Sequence, residues 1–251
     1  MSARRERILA EIGLGPRWRL RGRAAPVAAA GDYVPAVVPP AHTAEAPTLA
    51  LDERAAQIAA LDFPALKQAV AACGACALCK TRRNTVFGVG DERAEWMLVG
   101  EAPGAEEDAR GEPFVGQAGR LLDRMLAAVG LARDRNVYIA NVLKCRPPGN
   151  RNPEPSEVGR CSPHLLRQIG LIRPKLIVAM GRFAAQTLLG TDASIASLRG
   201  RLFEYQGVPL VVSYHPAYLL RNLPDKAKAW EDLCFARTAM RGLKDGRSAA
   251  S

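Results

Sequence analysis

Cys73, Cys76 and Cys79 are separated by two residues each in a Gly/Ala-rich stretch, and Cys145 and Cys161 flank a Pro-rich loop. Soft thiolates grouped in this way suit zinc or an iron–sulfur cluster, both of which accept four cysteines. The plain alternative is a set of buried, inert thiols. Five candidates for four places leave one spare, and the sixth cysteine, Cys234, falls in an expected C-terminal helix as a core residue. The opening MSARRERILAEIG carries charge without an apolar run behind it, so it does not read as a secretory signal. No stretch reaches the roughly eighteen apolar residues of a membrane span. The expected compartment is the cytoplasm, where clustered thiols bind metal or do redox chemistry more often than they pair.

The remaining reactive groups gather in three Gly- and Pro-rich loops, GEAPGAEEDARGEPFVG (100–116), KCRPPGNRNPEP (144–155) and HPAYLLRN (215–222). They bring acid, amide, imidazole and aromatic groups, the mixture expected of a concave site. Each loop follows a strand-like run. WMLVG (96–100), NVYIANVLKC (136–145), PKLIVAMG (174–181) and VPLVVSYHP (208–216) are nearly continuous apolar segments. Between them QAGRLLDRMLAAVGL (117–131), HLLRQIGLI (164–172) and RFAAQTLLG (182–190) have helical periodicity, the last closed by Gly190. Continuous apolar strands alternating with helices predict an α/β fold, a three-layer αβα arrangement about a four-stranded parallel sheet. Right-handed crossovers then put the three loops on one edge.

The chain divides by composition. Residues 1–23 form a basic arm, with seven Arg against two Glu over 4–23 and a short apolar stripe at Ile8, Leu9 and Ile12. Residues 24–62 read as an Ala/Pro-rich flexible linker, so the N-terminal extension is expected to be disordered. The folded domain is expected over 63–243, opening with a helix from Phe63 to about Ala72, and 244–251 is a tail. Net charge is +10, most of it after residue 70, which suits a polyanionic partner.

Taken together, GEAPGAEED (100–108), GEPFVGQAG (111–119), NVLKCRPPGNRNP (141–153) and HPAYLLRN (215–222) resemble the family 4 uracil-DNA glycosylases, the iron–sulfur branch of the uracil-DNA glycosylase superfamily. With the cysteines the resemblance spans about residues 73 to 235 and leaves the N-terminal extension outside it. It implies a monomeric hydrolase that flips uracil out of DNA and leaves an abasic site for base excision repair. It also implies a 4Fe-4S cluster on Cys73, Cys76, Cys145 and Cys161. This chain adds Cys79, and Ser162 rather than Pro follows Cys161, so the cluster reads as structural rather than ferredoxin-like.

The resemblance assigns roles to particular residues. His215 would donate to uracil O2 as charge develops there, and Asn141 would read O4 and N3–H. Phe114 would stack on the base, and Glu107 would exclude the thymine methyl group. The best-known members carry Asp two residues after the first Gly of the motif, where this chain has Ala102 beside the base; Glu101, the nearest carboxylate, then falls to orienting water or stabilising the cation. Leu219, Leu220 and Arg221 would form the wedge and phosphate contact. Ala102 also suits a DNA-binding member of the fold whose chemistry is altered. A metal-stapled interaction protein is the rival from another class. The basic arm's partner is open.

Overall fold

The computed structural model describes residues 48–245. The expected basic arm, residues 24–47 of the linker and the tail beyond 245 lie outside the described residues. In chain order the elements are α1 (Thr48–Ala60), α2 (Phe63–Ala71), β1 (Val89–Gly90), β2 (Trp96–Gly100), α3 (Ala105–Arg110), α4 (Gln117–Ala128), β3 (Val137–Asn141), α5 (Pro155–Ile172), β4 (Leu176–Met180), α6 (Arg182–Leu189), α7 (Ile195–Leu198), β5 (Leu202–Tyr205), β6 (Val208–Ser213), α8 (Pro216–Arg221) and α9 (Asp225–Lys244).

The class is α/β, and the sheet corrects the strand count from four to six. The order is β1-β3-β2-β4-β6-β5. β3, β2, β4 and β6 are parallel neighbours, the four strands expected, while β1 and β5 add antiparallel edges. Every residue of β2, β3 and β4 is buried, as continuous apolar runs require of a sheet covered on both faces. Met97, Val99, Ile177 and Val212 face α5 and α6 on one side. Trp96, Leu98, Val178 and Val211 face α4 and α9 on the other. Burying each such aliphatic side chain stabilises the fold by about 1.5–3 kcal/mol.

Residues 48–60, assigned to the linker on composition, are helical. Ile58 of α1 is buried with Leu66 and Val70 of α2 and with Phe87, and Arg54 donates to the Arg160 carbonyl of α5 at 2.7 Å. Tertiary contacts, not periodicity, make this helix worth forming. β3 ends four residues before Cys145 rather than at it, because the chain turns off the sheet after Asn141, where Val142 and Leu143 bond the carbonyls of Gly100 and Glu101. α5 begins nine residues earlier than expected, at Pro155, where Glu157 accepts from the Glu154 N–H at 2.9 Å and pairs with Arg151. That extension places Cys161 and His164 on one helix.

Candidate active site

From β2 the chain runs to β3 on one side of the sheet, then crosses to β4 on the other. That reversal opens a crevice at the carboxyl ends of β2 and β4, the place where ligands bind in such sheets. A cavity of about 840 Å³ lies there, with Glu101, Ala102, Glu107, Phe114, Asn141 and His215 in its wall. The residues expected to touch the base therefore converge.

Glycines at the strand ends make that convergence possible. A Cβ on Gly100 would stand 2.4 Å from Asn141 Oδ1 and 2.8 Å from Phe114 Cζ, and one on Gly181, whose φ is +99°, would stand 2.8 Å from His215 Cβ. Asn141 ends β3 directly beside Gly100 and is 2 % exposed. Its carbonyl accepts from the ammonium of Lys144 at 2.8 Å, which also reaches Gln168 Oε1 at 2.7 Å. Burial pulls the Lys144 ammonium down to about 8. Phe114 has φ 54°, a left-handed conformation an aromatic residue rarely takes, held by Arg133 donating to the Pro113 and Phe114 carbonyls at 2.7 and 2.8 Å. Its ring stacks on the His215 imidazole with centroids 5.2 Å apart.

His215 caps the N-terminus of α8, and its Nδ1 accepts from the Ala217 N–H at 3.1 Å. Burial, with the positive Arg221 nearby, holds the imidazole down to about 4. The ring is therefore neutral at pH 7, and an accepting Nδ1 fixes the proton on Nε2. This is a preorganised neutral donor.

The two carboxylates differ. Glu107 accepts from the Gly104 N–H at 3.1 Å and the Val115 N–H at 3.2 Å, lacing the loop after β2 to the segment after Phe114. Burial pushes the Glu101 carboxyl up from its ordinary value, opposed by the charge of Arg182. Arg182 also lines the cavity and was not singled out from sequence, because it opens α6 at the one strand end whose loop is short and compositionally plain.

At the rim the expected wedge needs correction. Leu219 is 1 % exposed, packed with Tyr214 and Ala229, because the phase of α8 turns it inward. Leu220, 38 % exposed, faces out, and Arg221 lines the cavity mouth. Leu223, just beyond α8, is 61 % exposed.

A second, small cavity is lined by Cys73, Cys76, Cys145 and Cys161, and Cys79 is not in its wall. Donors surround the thiols: Arg82 reaches Cys145 Sγ at 3.1 Å and the Lys144 N–H reaches Cys161 Sγ at 3.3 Å. Burial pushes the Cys161 thiol up to about 11 and the Cys145 thiol in the same direction. Among the described residues no three His, Cys, Asp or Glu side chains close around a single-ion position.

The family model for the uracil DNA glycosylase superfamily matches residues 87–234, from the segment before β1 to within α9. The chain belongs to the uracil-DNA glycosylase superfamily. Among curated relatives of this superfamily member, the type-4 uracil-DNA glycosylase of Archaeoglobus fulgidus is 49% identical over 159 residues, 60% of this chain and 79% of the relative. That of Thermotoga maritima is 45% identical over 62% of this chain and 82% of its own length. That of Pyrobaculum aerophilum is 41% identical over 70% and 93%. Among the described residues of this superfamily member, no helix is long and apolar enough to cross a membrane.

Proposed function

We propose that the chain is a uracil-DNA glycosylase, which takes a deoxyuridine out of the DNA stack and hydrolyses its N-glycosidic bond to leave an abasic site. The observation that carries this reading is the fixed tautomer of His215. Breaking the bond passes through an oxocarbenium-like state, and negative charge gathers on the departing uracil, chiefly at O2. His215 lines the cavity with its Nδ1 already taken by a backbone N–H, and a neutral Nε2–H donating to O2 stabilises that charge without reorganisation. Water adds to the sugar carbon and uracil leaves as the anion, which takes up the released proton through solvent. Glu101, flanked by Arg182, orients the water or stabilises the sugar cation.

The Asn141 amide has one donor for uracil O4 and one acceptor for N3–H. Cytosine reverses both, leaving buried groups unpaired, so it is rejected. Glu107, held by two backbone bonds in the cavity wall, excludes the 5-methyl group of thymine by its bulk. Phe114, stacked on His215, supplies the apolar wall for the base, and Ala102 leaves room beside it. Leu220 and Arg221 wedge the duplex and hold phosphate while the base is out.

The four thiols wall a single cavity, a donor set that a 4Fe-4S cluster takes, and the resemblance to the iron–sulfur branch of the superfamily favours the cluster over a lone zinc ion. Cys73, Cys76, Cys145 and Cys161 would hold the cluster, which when bound ties the segment after α2 to the loop after β3. The setting is the reducing cytoplasm, with the protein acting as a monomer on uracil-containing DNA.

Incubation with oligonucleotides carrying one uracil, single-stranded or opposite guanine, followed by alkaline cleavage, tests the reading. Strand breaks are expected at uracil alone, with cytosine and thymine intact. Iron-loaded protein that makes no abasic site in any uracil substrate overturns it.

A further inference from the structure

His164 lies on α5 one turn beyond Cys161, is 2 % exposed, and lines the cavity shared by the four thiols. Its Nε2 stands 3.4 Å from Nη2 of Arg54. A guanidinium only donates, so Nε2 is the acceptor, and the ring proton then sits on Nδ1. Yet Nδ1 is the one buried side-chain nitrogen or oxygen among the described residues with no hydrogen-bond partner. Leaving such a donor buried and unmatched costs about 1–3 kcal/mol. The neighbouring donors show what lies in reach of this wall: Arg54 Nη2 is 3.6 Å from Cys73 Sγ, and the Lys144 N–H and Arg82 each reach a thiol of the same set.

We propose that the His164 Nδ1–H donates a hydrogen bond to a sulfur of the iron–sulfur cluster, with Arg54 fixing the tautomer that makes this possible. The inference rests on the cluster reading above and goes beyond it. Because Nδ1 keeps its proton, His164 is no ligand to iron. Its donation withdraws charge from the sulfur, which favours the reduced level of the cluster and slows the loss of iron.

The test compares the full chain, cluster-loaded, as wild type, His164→Phe and His164→Asn; the Asn amide can place an N–H near the Nδ1 position. Two readouts are taken: the rate of iron release to a chelator and the midpoint potential of the cluster. His164→Phe is expected to release iron at least tenfold faster, within the 10- to 100-fold range typical of outer-shell partners, and to have a lower potential. His164→Asn is expected to stay within about threefold of wild type. A Phe variant matching wild type in both readouts overturns the inference, as do Phe and Asn variants equally impaired, which would assign His164 a packing role. A wild-type protein that takes up no iron overturns the cluster reading itself and this inference with it, an outcome distinct from the other two.

Discussion

One backbone N–H decides what His215 can do. The Ala217 amide occupies Nδ1, so the proton must sit on Nε2, and burial keeps the ring neutral. Nitrogen-detected NMR of the chain's three histidines should show one ring with a bare Nδ1 and a protonated Nε2 at pH 7, titrating near 4. A His215 ring that titrates at the ordinary 6.5 would contradict the assignment. The same shift links to stability. Below pH 6.5 the unfolded chain takes up a proton that the folded site refuses. The contribution is therefore complete above 6.5 and is lost as pH falls toward 4. The three loops were legible as one concave site because they concentrate polar groups where strands end. His215, Asn141, Phe114, Glu107 and Glu101 were picked out within them by the family resemblance, and all five line one cavity. Lys144 was not legible, since a lysine next to a cysteine gives no sign that its ammonium is buried against the Asn141 carbonyl.

At the scale of elements, α8 separates two leucines that the sequence treats alike. Leu219 is packed inward and Leu220 faces solvent. Leu219→Ala is therefore expected to destabilise the fold by about 2–5 kcal/mol in denaturant unfolding. Leu220→Ala should leave stability within about 0.5 kcal/mol and weaken the hold on the flipped state. Equal stability losses in the two would contradict the helix phase. β2, β3, β4 and β6 were readable because strands buried on both faces are written as unbroken apolar runs. β1 has only two residues, and β5 buries Phe203 while exposing Glu204, so neither leaves such a run. α1 was hidden because Ala-rich composition serves a linker as well as a helix, and only packing of Ile58 against α2 and Phe87 distinguishes them.

Across the whole molecule, two cavities lie on either side of the segment from Asn141 to Cys145. Asn141 at one end of that segment lines the first cavity, and Cys145 at the other end brings a thiol to the second. Cys73→Ser, Cys76→Ser, Cys145→Ser and Cys161→Ser should each lose iron, measured by metal analysis, while Cys79→Ser and Cys234→Ser keep it. Equal loss in Cys79→Ser and Cys73→Ser would mean that a different set of four cysteines holds the cluster. The division of labour also separates chemistry from binding. Single-turnover excision by His215→Ala, beside a titration with uracil-containing DNA, is the most direct test of the donor at the centre of the site. Removing one such donor typically costs about 2.7–4 kcal/mol, so cleavage should slow by roughly a hundred- to thousandfold while DNA affinity and iron content stay near wild type. A folded, iron-loaded His215→Ala protein that cleaves within about threefold of the wild-type rate, a loss below about 1 kcal/mol, would contradict it.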